Sequence, residues 1–221
     1  MPRADVKVLD TWYISGMAGT GSNDIVVEDV FVPDHRTGPF SLALAGAAPG
    51  QLIHSNPMYH LPFVPFAMAE VTPVVVGAMR GLADAFVERT RPRQGTLSHE
   101  KASGRQAAQI RLGRALAAAE AAETLWAAHL DRLTAQGPDL SDPRDRAEMK
   151  LKASYITDLC RTAVNDIVRG IGADGYRTAS PLQRFHRDLS VLSVHAFLDI
   201  DTASETMGRF TLDLPVTDRL L

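Results

Sequence analysis

The sequence has a single cysteine, no excess of either charge and no long apolar run. The lone Cys160 excludes an internal disulfide and a cysteine-based zinc site. A formal net charge of −3 offers no broad basic field for nucleic acid or anionic lipid. No uninterrupted apolar run of about 18 residues is present, and the first residues lack the apolar stretch of a signal peptide. These absences predict a soluble, cytoplasmic protein without a metal, a membrane or a nucleic acid as partner.

The residues that are present favour a helix-rich chain with a sizeable core. Of its 221 residues, 45% are hydrophobic and 22% are charged. Apolar residues recur at helical spacing, which predicts helices over 63–91, 103–135, 142–169, 181–196 and 199–211. Long stripes on successive helices joined by short linkers predict a mainly α fold, an up-and-down four-helix bundle.

The apolar stripes identify the predicted core of this bundle. The stripes comprise Met68, Val71, Val75, Met79, Leu82 and Phe86; Leu112, Leu116, Ala119, Ala122, Trp126, Leu130 and Leu133; and Ala153, Ile156, Cys160, Ala163 and Ile167. Between them, Lys150 and Lys152 are expected on solvated faces, and the C-terminal tail LDLPVTDRLL is expected to fray. Gly137 and Pro138 are predicted to end the second long helix.

Two strands are predicted ahead of the bundle, over 6–13 and 24–32, where β-branched and aromatic residues concentrate. Two strands cannot close a barrel, so we expect the chain to be the C-terminal piece of something larger. The predicted divisions are 1–38, the end of a β-domain; 39–62, a linker loop; and 63–221, the helical bundle. The loop from Ser15 to Asp24 is rich in glycine but carries no nucleotide-binding fingerprint. It is either a plain hairpin loop or one that touches a phosphate or a ring system.

The stretch from Pro181 to Leu198 concentrates charge and imidazole in an otherwise apolar segment. It contains Arg184, Arg187, Asp188 and His195. Such groups are costly near a core unless they are paired or used in function. From the residues alone, the arginines and Asp188 are better explained as bundle architecture, and His195 as a satisfied histidine near an interface.

Two blocks of this sequence resemble the acyl-CoA dehydrogenase superfamily. DTWYISGMAGTGSNDIVVEDVFVP resembles the end of its middle β-domain, and GIGADGYRTASPLQRFHRDL resembles the segment between its last two bundle helices. The blocks stand in the expected order with a helical bundle between them. The resemblance implies the C-terminal portion of such a protein, with the last strands of a β-barrel domain before the bundle.

Within this superfamily the sequence resembles the two-component flavin monooxygenases more than the true dehydrogenases. Dehydrogenases carry a glutamate base about eight residues beyond the R-D pair, where this chain has Ala196, although some relatives take the base from another helix. The context RDLSVLSVHAFLD instead resembles oxygenase components that hydroxylate aromatic or polyketide-like substrates. Those relatives take reduced FMN or FAD from a separate reductase and assemble as homo-oligomers, here a dimer or a tetramer.

The resemblance also implies roles for individual residues. His195 matches a histidine beside the flavin ring and is the predicted catalytic residue. The predicted cofactor-binding residues are Thr20, Gly21 and Ser22 in the β-domain loop, Gly172, Gly175 and Tyr176 in the glycine-tyrosine loop, and Trp12. Trp12 is predicted either to stack on the flavin or to fill a strand core. The chain departs from the pattern at Ala18, where the family usually has an arginine that faces the flavin or its phosphate.

Three functions are therefore open from the sequence. The first is a flavin-dependent monooxygenase oxygenase component acting on a small molecule. The second is an acyl-CoA dehydrogenase-like oxidoreductase with its base elsewhere. The third is a truncated, non-catalytic helical assembly module that supplies a bundle to a partner. The histidine at 195 and the missing carboxylate at 196 favour the first over the second.

Overall fold

The computed structural model describes residues 1–95, 99–136 and 140–221, with the side chain of residue 136 left out. The fold is mainly helical, with a small two-stranded sheet at its N-terminal end. The elements are β1 (Lys7–Leu9), β2 (Asp24–Val26), α1 (Phe40–Leu44), α2 (Phe63–Thr90), α3 (Gln106–Gln136), α4 (Pro143–Ile171), α5 (Pro181–Leu192) and α6 (Ile200–Thr211).

The two predicted strands exist but are much shorter than the sequence indicates. β1 and β2 pair antiparallel over three residues each, with Val8 opposite Ile25. The pairing stops because Asp29 has a left-handed backbone (φ 51°), which breaks the extended conformation needed beyond β2. Phe31 is then largely exposed rather than facing a sheet interior. The predicted linker 39–62 contains the short helix α1 and two single-turn helices.

The core lies between α2, α3 and α4, and α5 and α6 pack against α4. The predicted stripe of α2 is buried from Met68 to Phe86, and Pro73 is tolerated inside this helix. Cys160 on α4 is fully buried, and burial raises the pKa of its thiol to about 12. This cysteine is therefore a small core side chain, as the periodicity predicts.

The predicted face of α3 is partly wrong. Leu116 is about half exposed, whereas Ala115, Ala118 and Ala119 are buried against the neighbouring helices. Alanines allow helices to approach closely, so the alanine-rich face packs inward and the larger leucine remains outside. The predicted end of this helix at Gly137 and Pro138 lies outside the described residues.

The ends of α4 and α6 carry residue types that are favoured at helix termini. Asp142 and Asp199 cap α4 and α6, their carboxylates accepting hydrogen bonds from the backbone N–H groups of Arg144 and Thr202. Gly172 follows α4 with a φ of 75° and a ψ of −156°, a backbone conformation open to glycine that differs from a left-handed helical cap.

Helix α2 has the length and mean hydropathy of a membrane-crossing segment, on those two criteria alone. Of its most apolar window, 44% is buried inside the bundle. A core helix meets the same criteria, and the buried stripe accounts for this composition.

Lys150 corrects two predictions at once, because it is fully buried and pairs with the C-terminal tail. Its Nζ donates to Asp218 Oδ2 at 2.6 Å, with side-chain exposures of 0% and 5%. Asp218 also accepts hydrogen bonds from the Thr206 hydroxyl and the Leu220 backbone N–H. A buried lysine needs such a partner, so the tail folds back over α4 and α6 instead of fraying.

Replacing Asp218 by asparagine will test this buried ion pair. The change leaves the Lys150 ammonium without its counter-charge, and the free energy of unfolding should fall by about 3 kcal/mol or more. Urea denaturation followed by circular dichroism measures the loss. Asp213→Asn, an exposed change in the same tail, should leave the midpoint within error. Equal effects for the two variants would contradict a structural role for the pair.

His129 on α3 is a second buried polar residue, and its burial favours the neutral form of the ring. Its Nε2–H donates to the Pro65 carbonyl at 3.1 Å, and its Nδ1 is buried without a hydrogen-bond partner among the described residues. Burial lowers the pKa of His129, because the charged ring would lose its hydration; the Pro65 carbonyl opposes this only in part.

The pH dependence of stability follows from that lowered pKa. In the unfolded chain this histidine protonates near its ordinary pKa of about 6.5, whereas in the folded chain it stays neutral to lower pH. Its contribution is therefore complete above about pH 6.5 and is lost as the pH falls below that value. His129→Gln keeps a donor to the Pro65 carbonyl but removes the titrating ring. The free energy of unfolding of this variant should therefore depend less on pH between pH 7 and pH 5, whereas the exposed change His35→Gln should leave the wild-type pH dependence in place.

Candidate active site

The N-terminal loop reaches the bundle through a glycine. A Cβ atom on Gly16 would lie 2.2 Å from the carbonyl oxygen of Arg187 on α5. That separation is far below van der Waals contact, so only glycine allows the two backbones to approach this closely. The loop is thereby seated directly against α5.

A hydrogen bond next to this contact holds the loop in place. The Met17 backbone N–H donates to Asp188 Oδ1 at 2.7 Å, joining residues 171 positions apart. Met17 itself has a left-handed backbone (φ 56°), which is unusual for a residue with a side chain. Asp188 is thus architectural, as expected, but its partner is this loop rather than another helix.

The loop is also closed by its own hydrogen bonds. The Asn23 side chain accepts from the backbone N–H groups of Thr11 and Trp12, and the Trp12 indole N–H donates to the Met17 carbonyl. Trp12 lies beyond β1 and is part of the loop, so the prediction of a core strand tryptophan is wrong. These bonds fix the direction of the indole ring.

A single 3-10 turn, Ala18–Thr20, forms the far end of this loop. Gly21 ends it with a φ of 57° and leaves the hydroxyls of Thr20 and Ser22 3.2 Å apart. Gly21 therefore shapes the backbone, whereas Thr20 and Ser22 present the polar groups.

His195 lies in a turn after α5, because that helix ends at Leu192 rather than at 196. The Phe197 backbone N–H donates to His195 Nδ1 at 3.2 Å, and the two rings meet edge to face at 5.1 Å. A neutral ring that accepts at Nδ1 carries its hydrogen on Nε2. Among the described residues Nε2 has no hydrogen-bond partner, so it is the nitrogen that remains for a ligand.

One cavity of about 550 Å³ brings these parts together. The loop contributes Trp12, Thr20 and Ser22, and the turn after α5 contributes His195. The remaining walls are mainly apolar side chains from α2 and the end of α5, among them Val71, Val74 and Leu192. A large apolar cavity with a few polar groups is the usual form of a site for an aromatic ligand.

Glu70 is a cavity residue that sequence inspection missed. It is one position before Val71 on α2 and lines the same cavity as His195. No local motif marks a single carboxylate on a helix. Its four-residue spacing from Val74 places it on the same side of the helix as that cavity residue.

The other predicted cofactor residues lie elsewhere. Gly172, Gly175 and Tyr176 form a 3-10 turn before α5, and none of them lines the cavity. They are separated from His195 by the 12 residues of α5, about 18 Å of helix. Gly175 is buried against the Val168 carbonyl, and the half-exposed Tyr176 ring contacts His186 edge to face.

Sequence comparison identifies the family. A family model described as the acyl-CoA dehydrogenase C-terminal domain matches residues 70–200, more than half of the chain. The chain belongs to the acyl-CoA dehydrogenase family. Helix α2 from residue 70 onward and helices α3 to α5 lie within the matched residues, so the walls formed by the bundle and by His195 belong to this family domain.

Relatives of this chain include a hydroxylase and the oxygenase subunit of a flavin-dependent monooxygenase. A pigment production hydroxylase of Rhodococcus sp. (strain ATCC 21145) is 79% identical over the whole chain, which covers 57% of that protein. The flavin-dependent monooxygenase oxygenase subunit HsaA of Rhodococcus jostii is 31% identical, again over the whole chain and 59% of the relative. The chain thus spans a little over half the length of these relatives.

Solved structures give the same result. XiaF from Streptomyces sp., in complex with FADH2 and glycerol, superposes with a TM-score of 0.83 at 25% identity, covering 100% of this chain and 56% of that one. The similarity extends over the N-terminal loop as well as the bundle, because the whole chain is covered.

Gly16→Ala will test whether the loop seating forms the cavity. The added methyl group overlaps the Arg187 carbonyl, so the loop should detach from α5. Binding of an uncharged aromatic probe such as N-phenyl-1-naphthylamine in the cavity should weaken by about tenfold or more, since one wall is lost. Gly19→Ala is the matched control, because nothing lies within 4 Å of a Cβ there. Unchanged binding in the Gly16 variant would contradict this arrangement.

Proposed function

We propose that this chain is the C-terminal portion of the oxygenase component of a two-component flavin monooxygenase, hydroxylating an aromatic substrate with reduced FMN or FAD and O2. The observation that carries the proposal is that Trp12, Thr20, Ser22 and His195, more than 170 positions apart at the extremes, line one apolar cavity. The similarity of the chain to a hydroxylase and to an oxygenase subunit supports it.

The residues of the cavity fit a flavin ring system. An isoalloxazine is flat, with apolar faces and hydrogen-bonding groups at its edges. The indole of Trp12 and the aliphatic walls suit its faces, and the hydroxyls of Thr20 and Ser22 suit its edge. When bound, the reduced flavin supplies the activation of O2, which no amino-acid side chain provides.

The chain's own residues orient the reactants and exclude water. His195 donates from Nε2 to a ligand oxygen, and its accepting Nδ1 is held by Phe197. A ring fixed in one tautomer orients a phenolic substrate and can hold or transfer a proton at the hydroxyl oxygen. The apolar side chains of α2 and α5 keep bulk water away from that oxygen.

A second candidate is an acyl-CoA dehydrogenase-like activity. Ala196 offers no base, but Glu70 on α2 puts a carboxylate on the same cavity. A carboxylate there meets the geometric requirement for a base taken from another helix. The two functions differ in product, because a dehydrogenase forms an unsaturated thioester and needs no O2.

The proposed function includes partners outside this chain. An oxygenase component requires a separate reductase to deliver reduced flavin, and both are proposed to be cytoplasmic. The turn at Gly172, Gly175 and Tyr176 lies far from the cavity. A homo-oligomer, a dimer or a tetramer, would bring this turn to the flavin of a second copy, which supports assembly of the chain with itself.

His195→Ala is the test of the catalytic assignment. With chemically reduced FMN or FAD, O2 and a phenolic substrate, hydroxylated product measured by mass spectrometry should fall by about 100-fold or more. Anaerobic titration should show reduced flavin still bound, since Trp12 and the loop hydroxyls remain. The matched control is His35→Gln, an exposed histidine outside the cavity, which should keep full activity.

Three outcomes would contradict the proposal. If His195→Ala leaves hydroxylation unaffected, the catalytic role of this histidine is refuted. If the wild-type chain does not bind reduced flavin, the assignment of flavin as its cofactor is refuted. Oxidation of an acyl-CoA with an artificial electron acceptor, abolished by Glu70→Gln and independent of O2, would establish the dehydrogenase function instead.

A further inference from the structure

Within the described part of the chain, the candidate cavity carries one negatively charged side chain and no lysine or arginine to balance it. Among its described lining residues, Glu70 is the only carboxylate and His195 the only group able to become cationic. No lysine or arginine is among them. The loop that forms the opposite wall contributes Met17, Thr20 and Ser22, which carry no charge.

Glu70 also lacks a cation elsewhere in the described chain. It forms none of the ion pairs found among the described residues, whereas the carboxylates of Glu123 and Glu148 pair with Arg80 and Arg132. Glu70 is exposed, and it lines the cavity together with Val71 and Val74 of the same helix. The negative charge therefore acts on whatever enters the cavity.

A fixed carboxylate beside an apolar ligand site discriminates by charge. An anionic ligand meets repulsion from Glu70 and must shed its hydration without gaining a cationic partner. A neutral hydroxyl group loses nothing comparable, because it can donate to the Glu70 carboxylate and accept from His195 Nε2–H. The cavity thus offers one acceptor and one donor on an apolar background.

We propose that Glu70 is a specificity-determining residue that excludes aromatic carboxylates from this cavity and leaves it open to hydroxylated aromatic compounds without a negative charge. The inference rests on the proposed function and names the substrate class of that site. It assigns Glu70 a role that His195 does not have, since removing Glu70 should alter which ligands bind and leave the donor for the hydroxyl in place.

The test uses three ligands that share one hydroxyphenyl ring and a two-carbon side chain. Tyrosol is neutral, para-hydroxyphenylacetate is anionic and tyramine is cationic. Dissociation constants are measured by calorimetry on the purified chain at low salt, without flavin or O2. Wild-type protein should bind tyrosol at least about tenfold more tightly than hydroxyphenylacetate, the order expected for a like charge about 8 Å away across the ring at an effective dielectric constant of about 20 to 30. It should bind tyramine no more weakly than tyrosol, because a cation is attracted by the Glu70 carboxylate.

Neutralising the charge at position 70 should reduce this preference, and inverting the charge should reverse it. Glu70→Gln keeps the size and the acceptor oxygen and should bring the two affinities within about threefold, whereas Glu70→Lys should favour the anion. Raising the ionic strength should shrink the wild-type preference. Glu88→Gln removes the same charge from the same helix about 27 Å away and should retain the wild-type preference.

The result that would overturn the inference is a wild-type preference for hydroxyphenylacetate, or a preference that Glu70→Gln leaves unchanged. Absence of binding by all three ligands would also overturn it, because the cavity would then not be an aromatic site. These results are separable from failure of the proposed function, which appears in flavin binding and O2-dependent turnover. Hydroxylation without charge preference refutes only the role of Glu70.

Discussion

The close approach of Gly16 to the backbone of α5 is the contact on which the cavity depends. Any side chain at this position would overlap the Arg187 carbonyl, so the loop can lie there only because the residue is glycine. Once the loop is seated, Asp188 accepts the Met17 N–H and holds a residue that has adopted a left-handed backbone. The loop and the end of α5 thus become two walls at a fixed separation.

The bundle determines where those walls stand. Helix α5 packs against α2 and α4, so the turn that carries His195 is positioned by the same core that buries Val75 and Ile156. Helix α6 and the C-terminal tail are fastened to α4 by the buried pair of Lys150 and Asp218. Packing energy and one desolvated ion pair therefore keep the apolar walls rigid enough to present a shaped cavity.

Much of this architecture was predictable, because it depends on residues that lie close together in the sequence. Helical spacing identified most of the buried residues of α2 and α4, and short polar side chains at the helix starts limited the caps to Ser141 or Asp142 and to Asp199 or Asp201. Strand length was not predictable, because it depends on how many partners a strand finds. The exposure of Leu116 and the burial of Lys150 were missed because each depends on which neighbouring helix or tail covers that face.

For the candidate site, the sequence alone determined the family resemblance and the identities of Trp12, Thr20, Ser22 and His195, because short motifs preserve residue types at fixed spacing. Only the tertiary structure decided that these four share a cavity while Gly172 and Tyr176 do not. It alone revealed Glu70, whose carboxylate has no signature in the chain. A cavity is formed by surfaces distant in sequence, so its charge and its members emerge only when the chain has folded.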